Sequence, residues 1–474
     1  MFLTRLSLSS SLISRNVYDN YYVEPSLNTH VSPRILGHIR PYSGIYYVSD
    51  IDSDGMNEII LIGTPFDGEY SLLVYGVDGL EYSLSIDSLA RYTSYYTIYT
   101  VYGDTIYLIM VYYLYDNLLN KTTIIPELIT VIHGDGYNYT RRLLDHYTYT
   151  GFPLLVGRET LGNGLCLDGR YLVFEVYAHT KYVTYIVDLH SYNVSIVEGN
   201  VGISWFYISD YIKVDSRYYV ISINNLIVID NYSLTTMDLE LGDLGYQYVV
   251  SVDIIPINDT LYIIIVGGNS SHNRNTYMMH IFRYSISTGS IEFYGGTYMD
   301  VYNVLYTPII TSDHVFVFGV NGSKTQIYIY DLLNNGTEMK TFPIGVSGAI
   351  GINVDGNIYL YVYSNISGYY IYDPFNDMYT YITLEIPREI YAGVDGFTIV
   401  QPLLADLDGD DTLESTYIVI RYNRSDYGLM PIDSYVVCSG IDYPENLLPL
   451  PQYPLLPMIT FVLLIIHLFM RRPK

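Results

Sequence analysis

Residues 49–65, SDIDSDGMNEIILIGTP, hold the pattern that decides the fold: an Asp/Gly-rich turn that gives way to an apolar, β-branched run closed by Gly63. The same turn-then-strand unit recurs along the chain. It returns at Asp104 before TIYLIMVYY, Asp168-Gly169 before RYLVFEVY, Asp215 before SRYYVISI and Asp259 before TLYIIIVG. Asp313 before HVFVFGV, Asp355-Gly356 before NIYLYVY and Asp410 before STYIVIRY complete the series, at intervals of 42 to 64 residues. A strand precedes the turn in several copies, as at 45–50, 205–212, 248–255 and 397–406. A second strand follows, ending in Tyr-Asp or a relative of it, as at 185–189, 226–230, 326–332 and 369–374, and then a further strand. Four antiparallel strands per repeat, here A to D in chain order, make the blade of a β-propeller. Eight copies across residues 42–440 predict an all-β, eight-bladed β-propeller, with seven blades as the alternative if one copy is split across the closure. Two β-sandwiches or a β-helix are the other all-β arrangements. One blade cannot bury both faces, so the repeats must form a single domain.

Composition agrees. The 474 residues include 58 tyrosines, 50% are apolar and only 15% are charged. Tyr, Ile, Val and Thr favour strands, and so many aromatics exclude a disordered chain. The formal charge of −26 argues against nucleic acid as a partner, since such a surface repels phosphate. Two cysteines, Cys166 and Cys438, form no disulfide framework or zinc motif and read as buried free thiols.

The ends read as targeting. Residues 454–470, PLLPMITFVLLIIHLFM, would span about 25 Å as a helix, enough for a thin hydrocarbon core. The basic tail at 471–474 follows, and positive charge stays cytoplasmic. The expectation is one C-terminal transmembrane helix in the cell membrane, with the bulk of the chain extracellular. Residues 441–453 are Pro-rich and read as a short stiff stalk. Residues 1–41 begin with MFLTRLSLSSSLIS, a degenerate secretion signal, and leave room for a strand that closes the ring. Asn-x-Ser/Thr sequons begin at Asn120, Asn138, Asn193, Asn231, Asn258, Asn269, Asn321, Asn335, Asn365 and Asn423. Chance gives about four, and the excess points to glycosylated surface loops. Asparagine's preference for turns is the competing explanation.

Two of the turns are unusually acidic. Asp50, Asp52, Asp54 and Glu58 occupy positions 1, 3, 5 and 9 of the first, with the carbonyl of Met56 at position 7. Asp406, Asp408, Asp410 and Glu414 repeat the pattern in the last, with Thr412 at position 7. Four carboxylates and a carbonyl around one point repel one another unless a cation is present, and they match the six to eight hard oxygen ligands of Ca2+. Gly55 suits a left-handed bend, and Asp411 takes its place in the second copy. Repeats one and eight become neighbours when a ring closes, so both turns are expected to flank the closure.

At these residues the chain resembles the FG-GAP or VCBS type of propeller, the kind found in integrin α-subunit heads. The resemblance rests on residues 49–65 and, more loosely, on 405–420. It implies calcium held by the two carboxylate sets. Composition, with much Tyr and Ile, little Lys and dense sequons, resembles membrane-anchored surface proteins of heat-loving archaea.

The features together suggest a cell-surface binding, adhesion or structural module whose ligand is a surface protein or a glycan. The alternatives are an extracellular hydrolase or lyase and a docking subunit of a membrane complex. There is no Gly-x-Ser-x-Gly elbow and no His-Glu-x-x-His motif. The single tryptophan, Trp205, does not supply the docking motifs of quinoprotein dehydrogenases. No residue therefore stands out as catalytic, and an enzyme is the less favoured reading.

Overall fold

A computed structural model describes residues 34–440, apart from short connecting stretches, together with the two-residue strands 17–18 and 448–449. It is all-β save for two one-turn helices, Ile86–Leu89 and Arg388–Tyr391. The described strands form eight sheets of at least four strands each, arranged in the serial order of a propeller-like fold.

Sheet 1 contains Tyr46–Ser49, Glu58–Gly63, Ser71–Gly76 and Gly79–Ser85. Sheet 2 is built on Tyr95–Tyr102, Thr105–Asp116, Lys121–Gly134 and Gly136–Leu143. The two strands that flank the repeated turn in sheets 3 to 5 are Leu165–Leu167 with Tyr171–Ala178, Tyr211–Val214 with Arg217–Ser222, and Tyr248–Ile257 with Thr260–Ser271. In sheets 6 to 8 they are Ile309–Ile310 with His314–Asn321, Gly348–Val354 with Asn357–Ser364, and Gly396–Ala405 with Glu414–Ser425. Asp54, Asp104, Asp168, Asp215, Asp259 and Asp313 all lie in the turn between those two strands, while Asp355 and Asp410 fall outside the described residues. Left-handed backbone explains the residue choice: φ is 49° at Asp168, 55° at Asp215 and 56° at Gly103.

The eighth sheet closes with the start of the chain. Arg34–Ile39 pairs antiparallel with Gly428–Gly440 as its outermost strand. The same segment reaches sheet 1, where the Arg40 amide donates to the Thr64 carbonyl at 2.8 Å and the Phe66 amide to the His38 carbonyl at 3.1 Å. The buried Tyr46 hydroxyl of sheet 1 donates to the Thr416 carbonyl of sheet 8 at 2.9 Å.

Inner strands are buried on both faces, because a sheet is sandwiched between its two neighbours. Glu58–Gly63 and Ser71–Gly76 are buried at every position, whereas the outer strand Gly79–Ser85 is partly exposed. This is why the strands read as continuous apolar runs rather than alternating ones. Between sheets 1 and 2, Tyr47, Ile60, Val74, Tyr99, Leu108 and Ile129 form one core cluster. Similar clusters join sheets 2 and 3, 3 and 4, 4 and 5, and 5 and 6. Tyrosine suits these boundaries because its ring fills volume while its hydroxyl satisfies a carbonyl of the next sheet. Tyr47 donates to the Tyr99 carbonyl at 3.1 Å, Tyr113 to that of Tyr177 at 2.7 Å, and Tyr294 to that of Leu332 at 3.0 Å.

One expected strand is divided. Residues 205–212 read as a single strand in sequence, yet Ser204–Trp205 pairs parallel with Tyr248–Val249 in sheet 5, whereas Tyr211–Val214 belongs to sheet 4. Sheet partners are a long-range choice that a local apolar run cannot encode. Cys166 and Cys438 are buried free thiols, and burial pushes them up to about 12 and about 11. Among the described residues no helix is long and apolar enough to cross a membrane, and residues 454–470 lie outside them.

Candidate functional site

The first acidic turn joins the first two strands of sheet 1, and its fold is set by its own side chains. Gly55 donates its amide to Asp50 Oδ2 at 3.2 Å, and Asp54 donates to Asp52 Oδ1 at 3.1 Å. Ser53 and Gly55 take left-handed φ values of 64° and 98°. Glu58, 2% exposed at the head of its strand, accepts the Ile51 amide at 2.8 Å. Asp50, Asp52 and Glu58 thereby present oxygens within 4.8 Å of one another. Asp54 stands apart from that group: it is exposed, and its Oδ1 accepts the Met56 amide at 2.8 Å.

Burial drives the Glu58 carboxyl up to about 8, and the charges of Asp52, Glu81 and Asp50 push the same way against the Ile51 hydrogen bond. Two residues that the turn motif does not contain face this cluster. Glu81, on the outer strand of sheet 1, is raised by burial and by Asp52 and Asp54. Tyr137 comes from sheet 2 and stacks on Tyr82 at 4.2 Å. Burial and the charges of Glu58, Glu81 and Asp52 raise its hydroxyl. No local sequence signal marks either residue, because strand pairing and sheet packing bring them there.

The last acidic turn repeats the design in sheet 8. The Leu407 amide donates to Glu414 Oε2 at 2.7 Å, the counterpart of Ile51 on Glu58. Gly409, at the position equivalent to Ser53, is likewise left-handed at 75°. Leu407 and Glu414 are as buried as Ile51 and Glu58. Asp406, Asp408, Asp410 and Thr412 lie outside the described residues. The two turns meet: a Cβ built on Gly409 would lie 3.3 Å from Met56 Cγ and 3.9 Å from the Gly55 carbonyl.

The donor set around Glu58 is all oxygen and net negative, which fits a hard divalent cation such as Ca2+ and not a soft one. Elsewhere on the closing strand, His38 stacks between Phe66 at 4.2 Å and Tyr435 at 4.4 Å. Its Nε2 lies 2.9 Å from the buried Asp433, which Arg421 also grips through two nitrogens.

Of the sequon asparagines, Asn120, Asn138, Asn193, Asn258 and Asn335 are exposed and Asn269, Asn321 and Asn423 half-buried, while Asn231 and Asn365 lie outside the described residues. Asn120, Asn258 and Asn335 also hold left-handed turns, with φ of 48°, 56° and 54°, a conformational reason for asparagine there that is independent of any modification.

No protein-family model matches the chain, and no curated protein does. The FG-GAP resemblance therefore extends to the turn residues and not to a family match. Among solved structures, the Dos1 propeller is similar at 11% identity and a TM-score of 0.41, over 71% of this chain and 92% of that one. The WD40 domain of SCAP from fission yeast is similar at 8% identity and a TM-score of 0.31, over 87% and 98%. An oligogalacturonate lyase in complex with manganese is similar at 12% identity and a TM-score of 0.29, over 71% and 97%. None of these likenesses is close enough to bear on activity, and the propeller-like fold rests on the order of the sheets themselves.

Proposed function

We propose that the chain is a membrane-anchored, extracellular, calcium-binding propeller of eight blades that serves as a cell-surface binding, adhesion or structural module. The observation that carries the reading is the contact between the two acidic turns, at Gly409 and Met56, where sheets 8 and 1 meet. In this reading Asp50, Asp52 and Glu58, completed by Asp54 and the Met56 carbonyl, hold one Ca2+. Asp406, Asp408, Asp410, Glu414 and the Thr412 carbonyl hold a second. The ions clamp the boundary where the first and last repeats meet. Calcium neutralises the buried carboxylates, and its abundance outside cells couples closure to location.

The apolar run at 454–470 with its basic tail supports the anchor, and the exposed sequon asparagines support an outside location. Ligands would be taken on the exposed turns and rims. The test is thermal melting of the purified chain in calcium and in EDTA, with the bound metal measured directly. A fall in melting temperature on chelation, abolished by Glu58→Gln with Glu414→Gln, is expected. Identical melting curves with no metal retained would remove the calcium site.

A further inference from the structure

We propose that the edge of the ring bearing the turn Pro374–Asp377 lies against the lipid surface, with Phe375 and Leu333 as the side chains that touch it. The proposal rests on the anchor reading above and adds an orientation to it. Strands run alternately in an antiparallel sheet, so the turn after the first strand and the turn after the third open on the same edge. Strand 448–449 pairs antiparallel with the outer strand of sheet 7, Leu448 opposite Tyr379 and Pro449 opposite Met378. The chain therefore leaves the sheet beside the turn that follows the third strand, at residues 374–377. Only residues 450–453 separate that point from the apolar run that begins at 454, a reach of about 15 Å when fully extended. That edge cannot stand far from the bilayer.

What the edge presents fits an interface. Asp373 Oδ1 accepts the amides of Phe375 and Asn376, both at 2.9 Å, and fixes the turn with Phe375 49% exposed at its tip. Phe375 is braced by His314 at 5.2 Å and Phe316 at 6.0 Å, and the Pro374 carbonyl accepts Lys340 Nζ at 2.5 Å. Sheet 6 builds the same turn: Asp331 Oδ1 accepts the amides of Leu333 and Asn334, and Leu333 is 57% exposed. Two adjacent sheets thus hold an apolar side chain out from a rigid turn on the side where the chain departs. With a formal charge of −26, the fitting surface is zwitterionic rather than anionic.

The full chain is reconstituted in phosphatidylcholine vesicles, some of whose lipids carry a nitroxide high on the acyl chain. Phe375→Cys, Leu333→Cys and Leu118→Cys are each labelled with an environment-sensitive fluorophore. Cys166 and Cys438 are buried and take no label. Leu118, 96% exposed, lies in the turn after the second strand of sheet 2 and so on the opposite edge. Labels at 375 and 333 are expected to be quenched by the nitroxide lipid and shielded from aqueous iodide, with the reverse at 118. The sequon at Asn335 shares the turn with Leu333 and is expected to carry no glycan, whereas the exposed sequon at Asn120, in the turn of Leu118 on the opposite edge, is open to modification. Equal quenching at all three sites in membrane-bound protein, or glycan on Asn335, overturns the orientation and leaves the anchor standing. Protein that does not float with the vesicles overturns both.

Discussion

The boundary between sheets 1 and 2 and the boundary between sheets 8 and 1 join the same kind of surface by different means. The first is continuous in the chain and filled with apolar side chains: Tyr47, Ile60, Tyr99, Leu108, Met110 and Ile129 are almost wholly excluded from solvent. Its polar work is done by tyrosine hydroxyls on carbonyls. The second brings together residues 34–66 and residues 396–440, far apart in the chain. It is held by a paired strand from the N-terminal segment, by Tyr46 on Thr416, by the Arg421–Asp433–His38 cluster and by the two acidic turns. A boundary that the chain joins anyway can be non-directional. One that must find its register is built from groups with fixed geometry.

The comparison breaks most severely if the closing strand is removed. A chain lacking residues 1–40 leaves the backbone edge of Gly428–Gly440 unpaired, and we expect loss of the single cooperative melting transition together with aggregation on a sizing column. Next comes the apolar boundary. Tyr99→Ala empties a fully buried site and should cost roughly 3–5 kcal/mol in denaturant unfolding, as large aromatic deletions do. At the closure, Arg421→Ala strands the buried Asp433 and should cost about 3 kcal/mol or slightly more, with most of it recovered in the double variant with Asp433→Asn. Recovery shows that the loss came from an unpaired charge rather than from packing.

Calcium comes next, since an ion at a hundred times its dissociation constant adds about 2.7 kcal/mol. Chelation should speed amide exchange at Arg34–Ile39 and leave Tyr95–Tyr102 unchanged. Acid separates the regions most finely. His280 is buried between Tyr246 and Phe293, and burial lowers its pKa, so the fold favours the neutral ring. Stability is complete above its ordinary value near 6.5 and declines as pH falls below it, by at most about 1.4 kcal/mol per pH unit. His280→Phe should flatten that decline. Burial alone would raise Asp433, but hydrogen bonds from Arg421 and His38 outweigh it and hold the carboxyl low. The closure should therefore keep this anion until the pH drops below about 4, the ordinary Asp value. Exchange at pH 5.5 that loosens Arg34–Ile39 before Arg274–Ser285 would contradict this order.

Much of the fold was legible because turn chemistry is local. Asp and Gly stand where the backbone turns left-handed, at Asp168-Gly169 and Asp215 as at Gly55, and the strands between them carry unbroken apolar runs because both faces are covered. Of the candidate site, the convergence of Asp50, Asp52 and Glu58 followed from their spacing. The exposure of Asp54, whose Oδ1 accepts the Met56 amide, did not. Glu81 and Tyr137 were invisible, since nothing near them in the chain says what they will face. The same holds for Ser204–Trp205, where two residues chose a sheet that begins more than forty positions later.

The amino-acid order alone determined an all-β chain of repeated four-strand units with two acidic turns near its ends, because turn conformation and strand burial act over a few residues. Tertiary structure decided that Arg34–Ile39 completes the last sheet and that Gly409 comes to rest on Met56. Pairing and packing join segments hundreds of residues apart, and which edge meets which depends on the whole set of sheets assembling at once.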